Sequence, residues 1–142
     1  MYLERRLLGE TASVAVQGKF GAVEDTTRIT GGAVARFFLE PAKVMFLAEG
    51  NIVHGQFSGW AEDKFVGLAG FTFLPKNSVF FTFFAERSQT SIQVRDSATD
   101  ALTGLLNWFP YPHTELQLMG RLQRPAGTET ASTVLLQVHY WL

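Results

Sequence analysis

The chain has 142 residues, with 12 Lys and Arg against 13 Asp and Glu. Its formal net charge of −1 argues against the broad electrostatic attraction to nucleic acid or anionic lipid that basic proteins show. The absence of cysteine excludes disulfide bonds, thiolate metal sites and cysteine nucleophiles. Only 18% of the residues are charged, whereas 46% are hydrophobic and 13 are Phe, so we expect apolar surface to be covered in a homo-oligomer or around a ligand.

The amino terminus, Met1 to Glu10, lacks the apolar run that a secretory signal requires, because Gly9 and Glu10 directly follow two leucines. The longest uncharged stretch, Ala101 to Thr114, is shorter than the roughly 20 residues of a membrane-spanning helix. We therefore expect a cytoplasmic protein with no membrane insertion. Residues 1–10 are expected to form an N-terminal arm.

Short apolar runs separated by turn sequences follow one another along the rest of the chain. The turns are rich in Gly, Pro, Asn and charged residues, as in Glu49-Gly50-Asn51, Ala61-Glu62-Asp63-Lys64 and Pro125-Ala126-Gly127. Regularly spaced short strands with such turns are typical of antiparallel sandwiches and barrels. The sequence predicts a single all-β domain over residues 1–142, an antiparallel up-and-down barrel or closed sandwich of about eight or nine strands. The predicted strands are residues 13–17, 33–39, 44–48, 52–60, 65–74, 78–85, 90–95, 114–122 and 132–142.

Two segments allow a helical alternative. Residues 40–50 fit a short helix with Pro41 in its first turn, but a hairpin matches the spacing of the neighbouring runs better. In the second segment, Leu102, Leu105, Leu106 and Phe109 have helical spacing, although Gly104 disfavours a helix. We predict a short helix near residues 98–109.

Alternation of side chains divides each strand into two faces. In residues 65–74 and 78–85 both faces are apolar, with Phe81 and Phe83 on one and Phe80 and Phe84 on the other. Such strands either line an apolar lumen or pack against another subunit.

Two groups of residues are candidates for a ligand site. His54, Gln56, Ser58 and Trp60 share one strand face, and in a lumen they would supply the few polar groups of a ligand pocket. The stretch 107–113 is interpreted as a proline-stiffened loop that presents aromatic rings. The predicted ligand-binding residues are His54, Gln56, Trp60, Phe81, Phe83, Trp108, Tyr111 and His113.

No catalytic or cofactor motif accompanies these residues. The three histidines, His54, His113 and His139, lack metal-ligand spacing, and the acidic residues lie in turn-like sequence. The sequence also lacks a Gly-x-Ser-x-Gly motif and a phosphate-binding loop. We therefore expect no metal and no cofactor, and leave the catalytic residues unassigned.

Two functions fit this pattern. The first is binding of a small apolar molecule in a Phe-rich barrel lumen, with isomerisation or cyclisation by conformational restriction as an added activity. The alternative is a structural subunit of a homo-oligomeric or virion-like assembly without enzymatic activity. The expected partners are a small apolar molecule and further copies of the chain, with no nucleic acid.

Overall fold

The computed structural model describes residues 1–8, 11–23, 26–57, 60–94 and 96–141, with the backbone alone at positions 23, 57 and 60. These residues form an antiparallel β-sheet with a short 3-10 turn at Glu40–Ala42. The strands are β1 (Tyr2–Leu7), β2 (Ala12–Val23), β3 (Thr26–Leu39), β4 (Val44–Phe57), β5 (Trp60–Lys76), β6 (Val79–Gln89), β7 (Ala98–Tyr111), β8 (Thr114–Arg124) and β9 (Ala131–Tyr140).

Each strand pairs with the next one along the chain, so the nine strands lie in one sheet in the order β1 to β9. The predicted all-β antiparallel architecture is confirmed. Within the described residues, β1 and β9 are edge strands that do not pair with each other, and the sheet is open between them.

The strands are longer than the sequence predicts, because several polar clusters lie within strands rather than in turns. Glu49, Gly50 and Asn51 lie inside β4, and the predicted turn at 61–64 lies inside β5. The Asn51 side chain accepts a hydrogen bond from Gln17 Nε2 at 2.8 Å and donates one to Glu49 Oε1 at 2.8 Å. Hydrogen bonds to Gln17 on β2 and to Glu49 on the same strand thus satisfy the side chain of Asn51 without a turn.

The helix predicted near residues 98–109 is wrong: this segment lies in β7. Leu102 pairs with Ala85 on β6 and with Leu122 on β8, so the backbone is hydrogen-bonded on both sides. Pairing with two neighbouring strands overrides the helical spacing of the leucines. The predicted strand at 90–95 is also wrong for its described residues, 90–94, which form bends and turns.

The hairpin interpretation of residues 40–50 is confirmed for residues 40–43, which form the turn between β3 and β4. β3 and β4 are joined by the 3-10 turn and by Lys43, which has a left-handed backbone with φ of 51°. Pro41 stands in the first turn of that short helix, where its missing N–H costs no hydrogen bond.

The register of the pairs divides the sheet into two faces. We call one of them the apolar face; it carries a row of paired residues that crosses the whole sheet. The opposite side is the mixed face, which carries Ala15, Ala101 and Thr103. The row on the apolar face is Leu7, Ala12, Phe37, Phe46, Phe71, Phe83, Gly104, Gly120 and Val134.

The apolar face is the more exposed one. The buried residues of the described chain are Ala15, Gly55, Ala101 and Thr103, and all four positions lie on the mixed face. Ala15, Ala101 and Thr103 are 4%, 8% and 2% exposed. On the apolar face, Phe46 and Phe71 are 43% and 40% exposed. The accessible surface is 10190 Å², against about 7300 Å² expected for a folded monomer of this mass. The isolated sheet therefore leaves an apolar surface uncovered.

The close approach of β5 to β6 at Gly70 generates the first prediction. A Cβ at Gly70 would lie 2.5 Å from Phe84 Cβ and would also meet the carbonyl oxygen of Phe83. We expect Gly70→Ala to reduce the free energy of unfolding by about 1–3 kcal/mol, because the two backbones must separate. The midpoint of urea-induced unfolding measures this loss. Gly120→Ala is the control, since a Cβ there meets no atom within 4 Å; equal midpoints for both variants would contradict the prediction.

Candidate functional site

Four Phe rings form a row across the apolar face. Phe37, Phe46, Phe71 and Phe83 lie on β3, β4, β5 and β6 at paired positions. Their ring centroids are separated by 6.4 Å, 6.2 Å and 5.5 Å in that order, within the range of aromatic contact. This aromatic row arises because paired residues of an antiparallel sheet project to the same side.

A groove of about 860 Å³ crosses the same face next to the aromatic row. Its lining reaches from Val14 on β2 to Leu122 on β8, and its volume lies within the usual range for ligand sites. Small residues form its floor, which leaves the groove shallow and open. These small residues are Ala33, Ala35, Ala48, Gly50, Gly67, Ala69 and Ala85.

Phe65 belongs to the groove and explains a glycine in its floor. A Cβ at Gly67 would lie 2.7 Å from Phe65 Cζ, so the ring occupies the space above this glycine. Phe83 similarly lies beside Gly104, where an added Cβ would be 3.2 Å from the ring. The glycines thus let aromatic rings lie close to the backbone.

Charged side chains line one end of the groove. Arg87, Asp100 and Arg124 occupy paired positions on β6, β7 and β8, and Arg87 Nη1 lies 3.6 Å from Asp100 Oδ1. On the same face, His54 Nδ1 lies 2.6 Å from Asp63 Oδ1. The groove therefore joins an apolar surface to a polar border.

The mixed face carries a separate polar network. Arg121 Nη1 lies 2.5 Å from Glu86 Oε2, and the Arg121 guanidinium donates a hydrogen bond to Thr103 Oγ1 at 3.1 Å. Gln117 Nε2 donates to Asn107 Oδ1 at 3.1 Å. These contacts link β6, β7 and β8 through their side chains. Arg121 is the cation facing Glu86 Oε2, a buried oxygen that lacks a hydrogen bond of suitable geometry.

Most of the predicted site residues lie on the apolar face, but they form two separate groups. Phe81, Phe83 and Trp108 lie on β6 and β7 towards the end of the sheet that carries the turns at residues 77–78 and 112–113. His54 and Gln56 lie on β4 towards the opposite end.

The remaining candidates lie at or beyond strand ends. Tyr111 ends β7 and is exposed, and His113 lies in the turn before β8 with φ of 64°. The backbone of Trp60 begins β5, and its side chain and Ser58 lie outside the described residues.

The stretch 107–113 is not the aromatic loop expected from the sequence. Residues up to Tyr111 belong to β7, and only a short turn follows. The Phe109 N–H donates to the Ser78 carbonyl at 2.9 Å, and its ring contacts Phe80 edge-on with centroids 5.7 Å apart. Pairing with β6 therefore extends the strand through the first proline of the segment.

The small residues of the groove floor were not predicted as site residues. The available signal was alternation: Ala33 and Ala35, Ala48 and Gly50, and Gly67 and Ala69 stand two positions apart in their strands. Side chains two positions apart share a face, but only the register places all three pairs next to one another.

No protein-family model, curated protein or solved structure matches the chain. Among the described residues, no helix is long and apolar enough to span a membrane, and no group of three or more His, Asp or Glu side chains is placed to hold a metal ion. The expected cytoplasmic location stays a prediction. Function is therefore argued from the geometry of the sheet.

The ion pair on the mixed face generates the second prediction. We expect Arg121→Met to lower the free energy of unfolding by about 1–2 kcal/mol, because the buried oxygen of Glu86 loses its facing cation. Adding Glu86→Gln should restore part of this loss, since the uncompensated charge is then removed. Urea unfolding of the two single variants and the double variant measures the coupling. Additive losses would show that the pair does not stabilise the sheet.

Proposed function

We propose that the protein binds hydrophobic molecules with a long hydrocarbon portion on its apolar face. The observation that carries this proposal is the groove of about 860 Å³, with its floor of Ala and Gly next to the aromatic row. A flat, apolar, exposed strip of this kind accommodates a methylene chain along its length. Each CH₂ group that leaves water there contributes about 0.8 kcal/mol.

The border of the groove supports an amphiphilic occupant. Arg87 and Arg124 flank Asp100 at one end, so cationic and anionic groups meet the end of an otherwise apolar surface. A polar head group can remain hydrated beside these side chains while its hydrocarbon chain lies on the Ala and Gly floor. The proposed role is ligand binding. The binding site is the open apolar face of the sheet, instead of the closed Phe-rich lumen expected from the sequence.

We also propose the up-and-down barrel rather than the closed sandwich as the architecture in the functional state. The strictly sequential strand order supports it, because a sandwich would divide the strands between two sheets. Closure would require the β1 and β9 edges to meet.

Self-association is the second candidate function, and the uncovered surface favours it. The accessible area exceeds the monomer expectation by about 2900 Å², an area that matches large obligate interfaces. A second copy packed on the apolar face would cover the same residues as the hydrocarbon ligand. The chain would then be a structural subunit.

A charge placed in the groove tests the proposed binding. We expect wild-type protein to bind a dansyl-labelled fatty acid and Ala48→Glu to bind it at least ~10-fold more weakly, because the carboxylate must be desolvated beneath the chain. Ala48 is exposed, so the sheet tolerates the larger side chain. Dansyl fluorescence titration measures the affinity.

The matched control is Thr133→Glu, which places the same charge on an exposed position of the mixed face. Unchanged affinity in both variants, or no binding by the wild type, would contradict the proposal. Sedimentation velocity of the same three proteins tests self-association: a large wild-type species that Ala48→Glu reduces in size would support the structural role instead.

A further inference from the structure

We infer that the hydrocarbon covering the apolar face is the acyl-chain region of a lipid bilayer. This inference rests on the proposed function and names the source of the hydrocarbon. It replaces the expectation from the sequence that the chain does not insert into membranes.

The first argument is the length of the uncharged band on this face. From β2 to β9, the apolar-face positions between the two ends of the sheet carry no Asp, Glu, Lys or Arg. The band runs from Ala12 to Ala22 in β2, from Ile29 to Leu39 in β3 and from Val44 to Ile52 in β4. These spans of about 9–11 residues equal the length with which a tilted strand crosses the hydrocarbon core. β1 is the exception, since Arg5 shares the apolar face.

The second argument is that polar groups border the band at both ends. At one end, charged or titratable side chains on the apolar face occupy five adjacent strands: His54, Asp63, Arg87, Asp100 and Arg124. At the other end, Glu40 and Lys43 lie in the turn between β3 and β4, and Lys76 is the last residue of β5. Charges that stop at both ends of an apolar band are expected where a sheet meets two aqueous boundaries.

The third argument is the position of the Trp and Tyr side chains near the second border. Trp108, Tyr111, Tyr140 and Trp141 are all exposed and lie at or next to the ends of β7 and β9. The backbone N–H of Trp141 donates to the His113 carbonyl at 3.1 Å, which places Trp141 beside the β7–β8 turn. Amphipathic aromatic rings concentrate at the level of lipid head groups.

The fourth argument is the disposition of hydrogen-bonding groups. The strands from β2 to β8 are paired on both sides, so their backbone groups are satisfied within the sheet, as hydrocarbon requires. Polar side chains such as Gln17, Asn51, Glu86 and Arg121 bond to one another on the opposite face, away from the lipid. The edges of β1 and β9 must then pair with each other or with a second copy.

The experiment uses the natural absence of cysteine. Ala35→Cys and Arg36→Cys place a thiol at adjacent, exposed positions of β3 on the apolar and the mixed face, and each is labelled with the environment-sensitive fluorophore NBD. The labelled proteins are diluted from urea into phosphatidylcholine vesicles, with and without a nitroxide (doxyl) group on the acyl chains. Flotation of the vesicles reports binding, and far-UV circular dichroism reports the strand content.

We expect the protein to float with the vesicles. The emission of the label at position 35 should become several-fold brighter, shift to the blue and be quenched by the nitroxide-labelled chains, whereas the label at position 36 should be quenched much less. Ala48→Glu should reduce flotation and Thr133→Glu should not. Protein that stays in the soluble fraction, or equal quenching at positions 35 and 36, would overturn the inference.

The remaining outcomes separate this inference from the proposed function. Wild-type protein that binds the dansyl-labelled fatty acid but does not float would overturn the bilayer and leave the binding function intact. Failure of both assays would overturn both. A concentration-dependent blue shift at position 35 without vesicles, unchanged when vesicles are added, would overturn the bilayer and identify a second copy as the cover.

Discussion

The hydrogen-bonded ladder between consecutive antiparallel strands is the interaction on which the rest of this structure depends. β1 to β9 pair in chain order, and among the described residues only Ala15, Gly55, Ala101 and Thr103 are buried. Backbone hydrogen bonds and cross-strand side-chain pairs therefore stabilise the sheet, rather than a central hydrophobic core. Because of this, every property of the two faces follows from the register of the strands.

The register decides which side chains share a face, because a slip of one residue moves all side chains of a strand to the opposite face. In the observed register, Phe37, Phe46, Phe71 and Phe83 meet in one row while Glu86 meets Arg121 on the other side. A slip of β6 relative to β5 would break the aromatic row and bring Glu86 towards the groove. The polar network and the apolar face therefore stabilise the same pairing.

The exposure of the two faces is the reverse of that of a water-soluble sheet packed on a core. The side with the polar network is the more buried, and the side with the Phe row and the Ala and Gly floor is open. An apolar surface of this extent requires a cover. Three occupants could supply the apolar contacts that cover this face: fatty-acid-like ligands, a second copy of the chain, or lipid acyl chains. The uncharged band between the charged border and the turns favours lipid.

The sequence alone determined the all-β class and the antiparallel character, because alternation and turn residues are local signals. It also placed Phe81, Phe83 and Trp108 among the candidates, since large apolar residues stand out individually. Tertiary structure decided that Glu49 to Asn51 lie within β4, that residues 98–109 form a strand, and that 107–113 are not a loop. In each case, pairing with two neighbouring strands outweighed local propensity. The groove floor was likewise decided by register. Ala35, Ala48, Ala69 and Ala85 give no signal singly and become adjacent only when β3 to β6 are aligned.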